Sequence, residues 1–292
     1  MARSPHPNAR RKWIVMNHRL LLKRKLVVFS LAVLGLILSV AILAPWLAHH
    51  DPAEVDLERK LLDPSLKHPL GTDHLGRDIL SRLMYGARVS IGTVLAIVLS
   101  ILVLSFTVGT AAGYWGGWID SLLMRFCDVF LTFPTFILAM FMVGVLGTGL
   151  TNVILAIVLT HWAWYARIIR GLILSLKNRE YVLAARVAGT PPLKIVLRHL
   201  LPPVAAQLVI LATLDMGHMI LHVSGLSFLG LGVQPPTPEW GVMINDARQF
   251  IWTKPHLIMF PGLMIFLTVM AFNIPSDALR DMLDPSIRAE GN

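Results

Sequence analysis

The chain has 292 residues, 55% of them hydrophobic and only 15% charged, with a mean hydropathy of +0.66. Such a composition excludes a soluble globular domain of this length and makes a lipid bilayer the expected solvent. The net charge of +9 does not point to nucleic acid, because the bases gather beside apolar runs, and the single Cys127 excludes an intrachain disulfide or a multi-cysteine metal centre.

Residues 1–25 form a basic segment with Arg10, Arg11, Lys12, Arg19, Lys23, Arg24 and Lys25 directly before the first apolar run. That run, residues 26–48, carries no charge and is roughly 34 Å long at about 1.5 Å per residue, enough to cross the hydrocarbon. It is too long for the core of a signal peptide and is expected to be an uncleaved signal anchor. In residues 49–88 the acids Asp51, Glu54, Asp56, Glu58, Asp63, Asp73 and Asp78 nearly balance the bases, as in a loop outside the cytoplasm. Residues 89–277 form a core with five more apolar runs: 89–112, 121–146, 150–169, 204–226 and 257–274.

Pro134 within the third run is expected to kink it. Arg125 and Asp128, three residues apart on the same helix, are expected to pair. In the fourth run Trp162, Trp164 and Tyr165 read as an interfacial belt with Arg167 snorkelling beside them. The second basic block, Arg167, Arg170, Lys177, Arg179, Arg186, Lys194 and Arg198, surrounds a polar loop at 178–203. By the positive-inside rule this loop and the N-terminal segment are cytoplasmic, and an even number of spans returns the tail, 278–292, to the same side. Residues 230–255 then lie outside, with a short helix expected over 244–251.

Within the central loop Ala184 and Ala185 allow a close approach, Gly189 can end a helix in the left-handed conformation, and Pro191 with Pro192 delays the next helix. A helix, a tight turn and a second helix follow. The stretch Gly189-Thr-Pro-Pro-Leu-Lys194 is not a phosphate loop, since prolines replace amide donors and the second glycine is missing. The chain is therefore expected to bind no cofactor and to hydrolyse no ATP, and any driving force must come from another subunit. An ordinary connecting loop is the alternative.

On the fifth run Asp215, His218 and His222, at i, i+3 and i+7, fall within an arc of roughly 60°. An ionisable group at mid-bilayer costs about 2.5–3.5 kcal/mol on insertion scales, so the stripe should face protein or a watery path. Carboxylate and imidazole suit a borderline divalent ion such as Ni²⁺, which makes the same three residues candidate metal ligands. A packed polar seam between subunits fits them equally well. His218 and His222 also have zinc-ligand spacing, but Met219 stands where His-Glu-x-x-His needs its general base, which leaves an intramembrane metalloenzyme remote.

Several of these stretches resemble one family. The segment opening at Glu180 resembles the EAA loop of ABC importer permeases, with Ala184, Ala185, Gly189, Leu201 and Pro202 in register. Leu183 stands for the usual Glu and His199 for the usual Ile, departures that suit the branch importing peptides and nickel. Gly71-Thr-Asp-His-Leu-Gly-Arg-Asp78, Ser81-Arg82, Gly86-Ala-Arg-Val-Ser90, Asp128-x-x-Leu-x-Phe-Pro134 and Leu226-Ser-Phe-Leu-Gly-Leu-Gly-Val-Gln-Pro-Pro236 resemble the dipeptide, oligopeptide and nickel permeases. Asp215-Met-Gly-His-Met-Ile-Leu-His222, Gly147-Thr-Gly-Leu-Thr-Asn152 and His161-Trp-Ala-Trp-Tyr-Ala-Arg167 resemble the nickel members.

The resemblance implies an all-α membrane protein with six transmembrane helices and type I ABC importer permease architecture, in a bacterial cytoplasmic (inner) membrane with both termini cytoplasmic. It implies a second homologous permease, two ATP-using ATPase subunits and an extracytoplasmic substrate-binding protein as partners. Glu180, Ala184, Ala185, Gly189, Leu201 and Pro202 would couple to the ATPases. The cargo would be nickel or a nickel chelate, with a di- or oligopeptide as the alternative.

Overall fold

The computed structural model describes the backbone of residues 7–283 and the side chains of 25–279. The ends of the expected N-terminal segment and C-terminal tail, 1–6 and 284–292, lie outside the described residues. In chain order the helices are α1 (Pro7–Leu47), α2 (Ile79–Trp115), α3 (Gly117–Thr132), α4 (Thr135–Leu146), α5 (Leu150–Leu176), α6 (Glu180–Val187), α7 (Pro192–Ile195), α8 (Leu201–Phe228), α9 (Trp240–Ala247) and α10 (His256–Leu283). No β-strand is present among the described residues.

Five stretches are long and apolar enough to span a bilayer: Lys25–Leu47, Ile79–Trp115, Leu150–Leu176, Pro192–Phe228 and His256–Leu279. The third expected span is not one kinked helix. It is α3 and α4, which meet at 92° and make a sixth span only if taken together. Pro134 has no N–H to continue α3, and it drives the preceding Phe133 to extended backbone (φ −98°, ψ 143°). Two successive non-helical residues break the helix where a lone missing hydrogen bond would only bend it.

The bundle is organised on α2 and α5, which pack through small residues. A Cβ on Gly109 would stand 2.5 Å from the Ala166 carbonyl oxygen, and one on Gly113 2.8 Å from the Ile173 Cβ. Helices in lipid gain by such close approach because apolar burial alone does not drive them together. Ser105 Oγ donates to the Trp162 carbonyl at 2.8 Å, and Lys177 Nζ to the Gly113 carbonyl at 2.9 Å. Because α5 runs through to Leu176, Trp162 and Tyr165 fall in its middle and are buried in the bundle; of the expected interfacial belt only Trp164 is exposed.

The charges between α3 and α5 also differ from expectation. Asp128 pairs with Arg167 of α5, not with Arg125 on its own helix, and Asp120 accepts from Arg170 Nη2 at 2.6 Å. The two helices run antiparallel with acids on one and bases on the other, so each carboxylate meets a guanidinium from its neighbour.

The segments 48–78 and 229–255 close one end of the bundle together. Arg77, 1% exposed, reaches Asp73 at 2.6 Å and Asp246 at 2.9 Å, while Arg82 Nη1 donates to the Pro52 carbonyl at 2.9 Å. The Gly71–Asp78 motif thus reads as a buried ionic staple. Its glycines are required: Gly71 and Gly76 have φ of 81° and 78°, and a Cβ on Gly76 would overlap the Asp56 carbonyl. At the rim an exposed pair forms between Lys254 and Asp63, and the ammonium holds the Asp63 carboxyl below the usual carboxylate range.

The short helix expected over 244–251 starts at Trp240 instead. Glu239, wholly buried, caps it by accepting from Val242 N–H at 3.0 Å, and takes the Ser90 and Ser224 hydroxyls at 3.1 and 3.2 Å. The indole of Trp240 donates to the Leu83 carbonyl at 3.2 Å, which fixes α9 against the start of α2. At the other end of α2 the Arg186 guanidinium of α6 lies 5.3 Å from the Tyr114 ring centre. The α6–α7 pair therefore sits at the opposite end of the bundle.

Candidate functional site

Two constructions stand out, one at that opposite end and one in the middle of the span. In the first, α6 ends in a Schellman turn: Gly189 N–H donates to the Arg186 carbonyl at 2.9 Å and Thr190 N–H to the Ala185 carbonyl at 3.0 Å. Gly189 has φ +74°, the left-handed conformation read from the sequence. Pro191 is extended and Pro192 occupies the first turn of α7, where its missing N–H costs nothing. Val182 and Ile195 anchor the pair in the core at 0% and 1% exposure. Glu180 and Ala184 are exposed and Ala185 is half-buried. Val187 and Leu193 project outward at 89% and 70% exposure, with Tyr181 and Leu183 beside them.

Leu201 and Pro202 lie further on, where α7 runs into α8 through a π turn over Val196–Leu200. Pro202 and Pro203 cannot donate to the preceding turn, and their rings displace its carbonyls. Leu201 N–H reaches back to the Val196 carbonyl. The six loop residues singled out in the sequence thus occupy one helix–turn–helix and its exit, not one cluster of side chains.

In the second construction Asp215 of α8 turns toward α5. Its Oδ2 lies 2.9 Å from His161 Nε2 and accepts from the Tyr165 hydroxyl at 3.1 Å. His161 and Tyr165 are one helical turn apart, so a single face of α5 presents both. His218, its side chain 67% exposed, has Nδ1 3.8 Å from Asp215 Oδ1. His222 lies one turn beyond, its ring centre 5.8 Å from that of Phe136 and 6.3 Å from that of His161.

The Nδ1 atoms of His161 and His222 are buried without a hydrogen-bond partner among the described residues. A cavity of about 540 Å³ opens here, lined by Thr135, Thr160, His161, Gln207, Asp215 and His218 among others. Of the three residues read from the sequence, Asp215 and His218 therefore border the cavity while His222 stands behind it. His161 and Tyr165 join them. Their signal was a polar i, i+4 pair on an otherwise apolar span, which the neighbouring tryptophans disguised as an interfacial belt. A carboxylate and imidazoles bordering a cavity can hold a divalent cation or a cationic group of a larger cargo.

Residues 105–289 match the family described as "Binding-protein-dependent transport system inner membrane component", and 16–64 match the N-terminal TM domain of oligopeptide transport permease C. Nickel transport system permease protein NikC of Escherichia coli (strain K12) is 55% identical over 261 residues, covering 89% of this chain and 94% of that protein. Glutathione transport system permease protein GsiD of E. coli O157:H7 is 43% identical over 262 residues, 87% of this chain and 84% of that one. Dipeptide transport system permease protein DppC of Alkalihalophilus pseudofirmus is 40% identical over 267 residues, 91% and 88%.

Among solved structures, the inward-facing MetNI methionine ABC transporter superposes with a TM-score of 0.54 over 72% of this chain and 97% of its own, at 17% identity, a likeness of fold alone. A helical bundle that spans the membrane several times, with a helix–turn–helix at one end and these matches along most of its length, belongs to the family of binding-protein-dependent transport system inner membrane components, as an ABC importer permease subunit.

Proposed function

We propose that the chain forms half of a two-permease pore that imports nickel, as the ion or a chelate, across a bacterial cytoplasmic membrane. The observation that carries this reading is the identity to the E. coli nickel permease, 55% over 94% of that protein, against 40% and 43% for the dipeptide and glutathione permeases. The imidazoles and carboxylate beside the central cavity are chemically suited to such cargo. A di- or oligopeptide is the second reading, which the dipeptide relative favours.

In this reading the partners are a homologous permease, two ATPases that use the ATP, and an extracytoplasmic binding protein; this chain carries neither cofactor nor catalytic residue. The basic segments 1–25 and 178–203 support a cytoplasmic N-terminus and α6–α7 pair, and an even number of spans then returns the C-terminus to the same side. Val187 and Leu193, apolar and outward-facing, then seat in an ATPase, and Gly189 keeps the pair folded as one lever. Asp215, His161 and His218 line the path.

The test is paired: uptake per assembled complex, and the amount of assembled complex, for a His161→Gln, His218→Gln double variant. Lost uptake with normal assembly and basal ATP hydrolysis is expected. Normal uptake per complex with poor assembly would make the cluster a packing seam, since Asp215 would then be a buried group that keeps the Tyr165 hydroxyl but loses its imidazole partners.

A further inference from the structure

The segment between α1 and α2 holds a second cavity, of about 590 Å³, bordered by His49, His50, Ser65, His68, Asp78 and Ser81 among others. His50, His68 and Asp78 each bring one nitrogen or oxygen atom within 4.8 Å of the others. The hydrogen bonds around them fix which ring nitrogens are free. His50 Nε2 lies 3.0 Å from the Lys67 carbonyl, which can only accept, so Nε2 carries the proton and Nδ1 keeps its lone pair. His68 Nδ1 lies 3.0 Å from Asp78 Oδ1, so the neutral ring donates there and Nε2 keeps its lone pair. Neither free nitrogen has a hydrogen-bond partner among the described residues, and the ring centres are 4.6 Å apart. Each imidazole is thus oriented through one nitrogen and unused at the other, the arrangement that holds a histidine ready for a metal.

The scaffold beneath is rigid. Asp78 caps α2 by accepting from Ser81 N–H at 2.8 Å, and four residues on Arg82 is tied to the Pro52 carbonyl. His68 and Asp78 are 6% and 4% exposed, so the pair has little freedom to turn elsewhere.

We propose that His50 and His68 bind a divalent transition-metal ion in this cavity through their free nitrogens, with Asp78 orienting His68 from the far side of its ring, at a site separate from the central one. Two imidazole nitrogens favour Ni²⁺, Co²⁺, Zn²⁺ or Cu²⁺ over Ca²⁺ and Mg²⁺, which take oxygen ligands. The site lies at the end of the bundle opposite α6–α7. That this end faces outward, where the ion would be met before it entered the path, rests on the orientation proposed above; the binding itself does not.

The test uses the purified complex carrying no histidine tag, titrated with Co²⁺ and read by its visible absorption, with Ni²⁺ as competitor. One ion per permease is expected. His50→Gln, a change at a half-exposed side chain, should weaken binding at least tenfold without lowering the melting temperature. Asp78→Asn, which preserves the helix cap, should weaken it as well. His199→Gln, at the opposite end of the bundle, should leave it unchanged. No cobalt absorption from the wild-type complex would overturn the proposal, as would unaltered binding by folded His50→Gln protein or a loss confined to His218→Gln. Nickel uptake is not the readout, so failure of the transport assignment would leave this result standing.

Discussion

Replacing Gly189 by a β-branched residue should uncouple ATP hydrolysis from uptake without reducing the amount of permease in the membrane. The turn holds Gly189 at φ +74°, and a Cβ there would meet nothing within 4 Å. The penalty is therefore intrinsic to the backbone, about 1–2 kcal/mol for an L-residue in the left-handed region, larger for a β-branched one and smallest for Asn. Breaking the two bonds that close the turn, Gly189 N–H to Arg186 and Thr190 N–H to Ala185, relieves that strain.

A shift of about 1–2 kcal/mol changes the population of the closed turn roughly 5- to 30-fold, yet is small beside the 5–15 kcal/mol or so that holds a typical protein folded. The lever should loosen while the bundle persists. Uptake per ATP hydrolysed, measured in vesicles containing the whole complex, should fall in the order Asn, Ala, Val at position 189. Equal coupling in all three would refute the reasoning and leave the turn a connector.

Gly113→Leu forces side-chain atoms onto Ile173 and the Arg170 carbonyl, already 2.8 and 3.0 Å from an added Cβ; overpacking of this kind costs about 1–3 kcal/mol, seen as a lower melting temperature of the purified permease. Arg77→Met leaves Asp73 and Asp246 with only the more distant Arg82, at 3.6 and 3.8 Å, between them, and should cost about 1.5–3 kcal/mol in denaturant unfolding, as for a lost hydrogen bond to a charged group. In a Cys127→Ala background, Ser65→Cys and Thr237→Cys should react with an impermeant thiol reagent from outside intact cells and Thr190→Cys should not. Labelling at 190 alone would invert the proposed orientation.

The spans were legible because hydropathy over some twenty residues is a property of the chain itself. So was Gly189: a glycine followed by two prolines states its backbone need locally. The break at Phe133–Pro134 was read only as a kink, because whether a proline bends or ends a helix depends on what the preceding residue packs against. Pairings across helices were not legible. Asp128 offered a plausible partner three residues away, but Arg167, 39 residues on, takes it. Asp215 likewise finds His161 and Tyr165 across the bundle, while the sequence shows only its own helical stripe. The small-residue face was legible as the Gly-x-x-x-Gly spacing of Gly109 and Gly113 in an apolar run, but not the helix it packs against. The Gly71–Asp78 motif could be recognised without its role being visible, since its ionic partner Asp246 lies far along the chain.

The central claim is tested most directly by transport through the reconstituted complex. Vesicles containing this chain, its partner permease, both ATPases and the binding protein should accumulate radioactive nickel, as the ion or a chelate, only when ATP is supplied on the α6–α7 side. Excess unlabelled dipeptide should not compete. ATP-driven accumulation of peptide with no nickel movement would contradict the account.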